Sequence, residues 1–455
     1  MDGLMHLPTR VIDVDGNEQS QGAPFLCESE GEARPYICLS YCWGNIAEGF
    51  LTTTSGTLAQ RKNRIGLDEF PQVFAEAIWI AKALDIQYLW IDSVCIVQDD
   101  AEDWARESAA MCDVYGNSYL TIAASEAPNA ASGMFYALDD SGGELGSVRV
   151  TAVRPDGAQA VVNVRRRLPH WKGETASPLS FRGWTFQEGI LPKRVVHLGL
   201  HELQWECNSI STCRCTINPH QNDQFKKRFA SAMAATNTIV EKDRFKLWWD
   251  IVPEYTTRAL TRGTDKLVAL SGIAKGLQPL WKRRYLAGLW EDELLMGLRW
   301  QLDGYQKRAP RPTPFRAPTW SWASIDGHVC RPTFYYDSKS NFFQVTVLDV
   351  QCDLATNDPT GSLSGGYLTL SGKLVEAEYI YESHSEAGLF RGSAVLDSLY
   401  IGNKRETVQA EIQLLKVTSE GLPEVQTVYC LLLGAFGETL VFPSDIPTTR
   451  PQQDY

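Results

Sequence analysis

Between Tyr36 and Ala124 short apolar runs alternate with segments of helical periodicity. Tyr36-Ile37-Cys38-Leu39-Ser40-Tyr41-Cys42-Trp43-Gly44 is strand-like, and Gly44 breaks it. Asn45 to Thr57 is polar and rich in Gly and Thr, a surface loop able to cover that strand's end. Phe70-Pro71 opens a helix, with Val73, Phe74, Ala77, Ile78, Ala81 and Leu84 as its apolar stripe. Tyr88-Leu89-Trp90-Ile91 reads as a buried parallel strand ending at Asp92. Asp99 and Asp100 are placed to cap the next helix, and Glu102 and Asp103 favour its positive end. Trp104, Ser108, Met111, Cys112 and Tyr115 form its inner stripe, and Gly116-Asn117 stops it. Tyr119 to Ala124 is the next strand. This alternation predicts an α/β fold with a parallel sheet flanked by helices. Such sheets bind ligands at the carboxyl ends of their strands, where Asp92, Ser93, Cys95 and Gln98 fall.

Outside this unit the pattern changes twice. A lead-in over 1–30 holds one short strand, Arg10 to Val14. Glu126 to Ser147 is a long polar loop. Val148 to Val153 and Ala158 to Val164 form a hairpin about Pro155-Asp156-Gly157. Phe181 to Arg194 leads into strands over Val195 to Leu198 and Glu202 to Cys207. Residues 224–300 are helical in pattern: Leu247, Trp248, Ile251, Val252 and Tyr255 share one face, and Leu267, Leu270, Ile273 and Leu277 another. Lys307 to Pro318 is a Pro- and Arg-rich linker. From Asn341 onward alternating strands separated by turns predict a β-sandwich or barrel module. The expected domains are 31–215 (α/β), 216–316 (helical extension) and 317–455 (β-rich).

The 455 residues exceed one ordinary core. A net charge of −12, with Arg165-Arg166-Arg167 the one tight basic run and read as a solvated turn, argues against nucleic acid. The first sixteen residues lack the apolar region of a signal peptide, and no run reaches the ~18 apolar residues of a membrane helix. The expectation is a cytoplasmic protein without a membrane partner, with most of its eleven cysteines reduced.

LWIDSVCIVQDD over Leu89 to Asp100, followed by Asp103-Trp104, Glu107-Ser108, Met111 and Val114-Tyr115, resembles the core signature of the fungal heterokaryon-incompatibility (HET) domain. Tyr41, Trp43 and Gly44 match the family's strand-ending motif. Arg182, Trp184, Thr185, Gln187, Glu188, Leu191 and Arg194 match its second signature, and Trp205-Glu206-Cys207 also fits. Stretches at Trp249 to Leu270, Tyr285 to Trp290 and Ala317 to Ser324 resemble the helical extension and flanking segments of the family. The resemblance implies a fold like that of the Toll/interleukin receptor (TIR) domain. It also implies nonself recognition or programmed cell death through protein contacts or self-assembly. Some TIR domains cleave NAD with a glutamate, so the alternative is an enzyme cutting NAD or a related nucleotide at the N-glycosidic bond; a third is a HET fold repurposed for small-molecule modification. No cofactor is expected, NAD entering only as a substrate.

The candidate acids are Glu188, Glu107 and Asp92. A carboxylate beside a ribose can stabilise an oxocarbenium-like transition state or act as a base. Glu188 stands first, next to Trp184, Phe186 and Gln187; Glu107 follows Trp104 at a spacing one residue shorter than the TIR pattern. Each acid also has a structural reading: Asp92 capping a loop or pairing with Arg182, Glu107 facing solvent, Glu188 pairing with Arg194. The candidate ligand-binding residues are Tyr41, Trp43, Gly44, Ser93, Cys95, Gln98, Arg182, Trp184 and Gln187, with Arg182 suited to an anion. Cys95 reads as a core thiol, with a nucleophile as the alternative. Cys207, Cys213 and Cys215, with His197, His201 and His220, are near enough in sequence to bind zinc, but Cys-x5-Cys-x-Cys is not a usual finger spacing, so structural or surface cysteines are the first reading and no metal site is assigned.

Overall fold

The computed structural model describes residues 6–44, 50–135, 148–164, 177–199, 203–213, 225–234, 241–302, 312–330 and 345–372, and strand backbone between 374 and 443. Arg165 to Arg167, His201, Cys215, His220 and most of the Glu126–Ser147 loop lie outside the described residues. The chain divides into two compact units. The first holds 1–240 with 258–260 and 268–280; the second holds 241–257, 261–267 and 281–455.

The first unit is built on an eight-stranded mixed sheet. Its strands are β1 (Arg10–Asp13), β2 (Phe25–Glu28), β3 (Tyr36–Ser40), β4 (Tyr88–Trp90), β5 (Leu120–Ala123), β8 (Arg194–Leu198), β9 (Leu203–Cys207) and β10 (Ser211–Cys213). The hairpin β6 (Val148–Val153) and β7 (Gln159–Val164) stands as its own antiparallel pair. The sheet order is β10-β9-β8-β5-β3-β4-β1-β2. β8, β5, β3 and β4 are mutually parallel, and the outer strands pair antiparallel. β4 lies on one side of β3 and β5 on the other, so the strand order reverses at β3. That reversal opens the crevice where open α/β sheets bind ligands.

The helices that cover the sheet are α1 (Leu58–Asn63), α2 (Gln72–Ala83), α3 (Asp92–Cys95), α4 (Ala101–Asn117) and α5 (Thr185–Ile190). α2 buries Val73, Phe74, Ala77, Ile78 and Ala81 against the sheet, as its stripe predicts, while Leu84 is exposed. Asp100, not Asp99, caps α4, accepting from the amides of Glu102 and Asp103; Asp99 instead accepts from Ser55. Gly116 and Asn117 form the last turn of α4, and the extended Ser118 ends it.

The inner face of α4 differs from the expected stripe. Asp103, Glu107, Ser108, Met111, Val114 and Tyr115 are buried, while Trp104 and Cys112 are only half-buried. The cause is Arg10 of β1, whose guanidinium pairs with Asp103 and, at 3.7 Å, with Glu107.

α6 (Phe225–Ala234) and α8 (Val268–Trp281) also contribute to the first unit. In the second unit α7 (Glu241–Thr256) buries Leu247, Trp248, Ile251, Val252 and Tyr255. Tyr285 to Trp290, expected within the helical extension, is instead the hairpin β11 (Tyr285–Leu286) and β12 (Leu289–Trp290). Gly288 turns it with φ of +94°, and its carbonyl accepts from both Trp248 and Trp322 Nε1 at 2.9 Å. Arg316, expected in a linker, is buried, donating to Ala323 O and pairing with Asp326 at 2.6 Å. Further on, Val345–Leu354 pairs with Leu363–Gly372, and a separate five-stranded antiparallel sheet follows. No helix among the described residues is long and apolar enough to cross a membrane.

Candidate functional site

The carboxyl ends of β3 and β4, with α5, bring a group of polar side chains together. Ser40 ends β3 and Tyr41 and Trp43 follow it; beyond β4 comes α3, a single turn that places Asp92 and Ser93. Trp43 Nε1 donates to Asp92 Oδ2 at 2.8 Å, and the Ser93 amide donates to Asp92 Oδ1 at 2.7 Å. Tyr41 OH donates to Ser93 Oγ at 2.9 Å. From α5, Glu188 reaches the same edge, where Ser40 Oγ donates to its Oε2 at 2.6 Å. Arg182 lies just before α5, and its Nη1 donates to the Tyr41 carbonyl at 2.8 Å. Tyr41, Trp43, Asp92, Arg182 and Glu188 thus share one site.

The site has a buried floor and a half-exposed rim. Ser40, Tyr41, Ser93 and Glu188 are buried, whereas Trp43, Asp92, Arg182 and Trp184 keep partial exposure. Burial raises the Asp92 carboxyl above the usual range; the Arg182 charge and the Trp43 bond act against it. Burial, then the neighbouring Asp92 charge, pushes Glu188 up to about 7, with Ser40 and Arg182 opposing. Two carboxyls near one arginine cannot both ionise freely.

Other sequence-predicted residues do different work. Gly44 has φ of +78°, and a Cβ there would stand 2.4 Å from Asn129 Cβ, so the turn after Trp43 requires glycine. Gln98 Nε2 donates to the carbonyls of Asp92 and Ile96, holding the α3 turn. Thr53 reinforces it, donating from Oγ1 to Val94 O at 2.6 Å, so the 50–57 part of the loop does lie over this edge. Trp184 packs edge-to-face on Trp104 at 6.5 Å.

At several positions the structure bears on the sequence expectations. Glu107 belongs to the Arg10–Asp103–Arg106 network inside α4; it neither faces solvent nor joins Asp92 and Glu188 in their hydrogen bonds. Gln187 turns its Oε1 toward Gly272 of α8 and not toward the carboxylates, because neighbours on a helix point about 100° apart. Phe186, beside it, lies against Phe225 and Arg258. Cys95 is the enclosed core thiol that the sequence reading puts first, and burial pushes it up to about 12, against the nucleophile alternative. Arg194 does not hold Glu188; its guanidinium lies over the Tyr119 ring. Among the described residues no group of His, Cys, Asp and Glu could hold a metal, and Cys213 is disulfide-bonded.

Ser40 and Tyr115 carry no functional mark in the sequence. Ser40 reads as part of a strand, and its place as that strand's last residue is the readable signal. Tyr115, read as core, donates to Leu39 O at 3.2 Å and reaches the Glu188 side chain.

The fold and this edge define an α/β domain with two neighbouring carboxyls, Asp92 and Glu188, at its strand reversal. Residues 36–188, from the first residue of β3 to Glu188 itself, match the family model of the heterokaryon incompatibility protein (HET). This chain therefore carries a HET domain over those residues. No curated protein and no solved structure is significantly similar to it.

Proposed function

We propose that this is a heterokaryon-incompatibility-type effector whose HET domain cleaves the N-glycosidic bond of NAD or a related nucleotide. The observation that carries the reading is the division of labour between two carboxylates near one arginine. Asp92 is held by Trp43 and reaches the rim; Glu188 is buried behind it with a carboxyl at about 7.

Cleavage breaks the bond between ribose C1′ and the nicotinamide nitrogen. The electron pair leaves with nicotinamide, which departs neutral, so no acid is needed for the leaving group. Positive charge builds on C1′ and the ring oxygen, where an ionised Asp92 stabilises it. Water then attacks C1′ and gives a proton to Glu188, a base matched to neutral pH. Arg182 is suited to the pyrophosphate. The half-buried rim position of Asp92 ranks it ahead of the buried Glu188 as the charge stabiliser.

The test is incubation of purified protein with NAD, alone and with candidate partners, followed by chromatography for nicotinamide. Asp92→Asn should cost on the order of a hundredfold in kcat. Glu188→Gln should lower the rate by a similar factor and abolish its rise with pH through about 7. Absence of turnover by folded wild type under every condition would remove the enzymatic reading and leave recognition through protein contacts.

A further inference from the structure

A second constellation stands one strand away from the carboxylate pair. Ser125 follows β5 as Asp92 follows β4, on the carboxyl side of the parallel core. In the tautomer with its proton on Nε2, His197 of β8 accepts from Ser125 Oγ at Nδ1 over 3.5 Å. The same ring donates from Nε2 to Glu206 Oε2 of β9 at 3.1 Å. The sheet register builds the chain. Ala123 is level with His197 across the parallel pair, and His197 is level with Gln204 across the antiparallel one, so Glu206 is the diagonal neighbour on the same face. All three side chains are buried.

We propose that Ser125, His197 and Glu206 form a serine-hydrolase triad that acts on short, uncharged carboxylic esters. A hydroxyl is a weak nucleophile until an imidazole takes its proton, and the imidazole needs an acceptor on its far side to fix its tautomer and steady its charge. Each role has its residue here. Ser125 Oγ attacks the ester carbonyl carbon and passes its proton to His197 Nδ1. The imidazolium, held by Glu206, returns that proton to the departing alkoxide, leaving an acyl-serine. Water then attacks the acyl carbon through the same histidine and releases the acid. The 3.5 Å approach is that of a resting site, which tightens when substrate binds. The substrate class follows from the surroundings. The Leu179 amide donates to the Ser125 carbonyl at 3.2 Å, and Leu179 packs with Cys42, Ala123 and Val195, so the surroundings of Ser125 are apolar and small and offer no charge to a charged ester. The proposal is independent of the carboxylate pair and stands or falls without it.

The experiment treats the full chain with diisopropyl fluorophosphate. This small reagent forms an Oγ–P bond on an activated serine and expels fluoride. Intact mass and peptide mapping locate the adduct, and p-nitrophenyl acetate reports turnover. One adduct is expected, on the Ser125 peptide, absent in Ser125→Ala. His197→Gln and Glu206→Gln, shown folded by thermal melts, should label more slowly, the histidine variant by on the order of a hundredfold. An unlabelled folded wild type, an adduct on another residue, or equal labelling of the His197→Gln protein would overturn the assignment.

Discussion

Glu188 illustrates how one buried side chain makes stability depend on pH. Its carboxyl titrates at about 7 in the folded chain and near 4.5 when unfolded. Between those values the folded state holds a proton that the unfolded chain has lost, so stability falls as pH rises from 4.5 to 7 and stays low above. The difference is on the order of 3 kcal/mol. Glu188→Gln, which can keep a bond to Ser40, should raise the melting temperature at pH 8 and leave it nearly unchanged at pH 4.5. A melt series across that range checks both ends. Gly44 is the complementary case. Alanine there meets both a positive φ and the Asn129 side chain, and Gly44→Ala should cost about 1–3 kcal/mol in thermal or urea unfolding.

Between elements, the Arg10 network joins β1 to α4 and to the turn that presents Asp92. Arg10 Nε donates to the Cys95 carbonyl at 2.7 Å, and the Val97 amide donates to Asp103 Oδ2 at 2.8 Å. Arg10→Met would strand Asp103 and Glu107 without their buried cation, a loss of about 3–5 kcal/mol measurable by denaturant titration. Asp100→Ala, which removes only a helix cap, should cost about 1 kcal/mol. The contrast shows what the sequence could tell. β3, α2, β4, α4 and β5 were readable because each repeats its period for a full strand or several turns. The cap at Asp100 was readable because it is local. The buried face of α4 was not, since acids at Asp103 and Glu107 look solvent-facing until an arginine 93 residues from Asp103 comes to meet them. One-turn elements such as α3 and the short α5 offer no period at all. The convergence of Tyr41, Trp43, Asp92 and Arg182 could be expected because each sits at an element's end, whereas the directions of Glu188 and Gln187 within α5 depend on a rotation that no spacing records.

Across the whole molecule two buried groups pull in opposite directions. Lys266, in the second unit, donates to Ile325 O at 2.6 Å and is lowered to about 7, by burial first and then by the nearby Arg316 charge. Its folded state binds fewer protons than the unfolded chain between pH 7 and 10.5, so its unit gains stability as pH rises through that window. Glu188 does the reverse between 4.5 and 7 in the first unit. Calorimetric scans should show the transition raised by Glu188→Gln weakening from pH 4.5 to 7. The transition raised by Lys266→Met should strengthen from pH 7 to 10. A common pH trend for both transitions would refute this division.

The placement of Arg10 also decides where the chain can be cut. The family match begins at Tyr36, yet β1 and β2 lie before it and β8 and β9 after it, all hydrogen-bonded into the same sheet. A fragment trimmed to the match would expose both flanks of the parallel core as raw strand edges and leave Asp103 and Glu107 with only the half-exposed Arg106 in place of their buried cation. A protease that clips between Arg10 and Tyr36 could leave the peptide seated by its pairing, while one that released it would disarm the Asp92 turn. Loss of the first strands thus removes the support of the Asp92 turn without touching any residue of the carboxylate cluster.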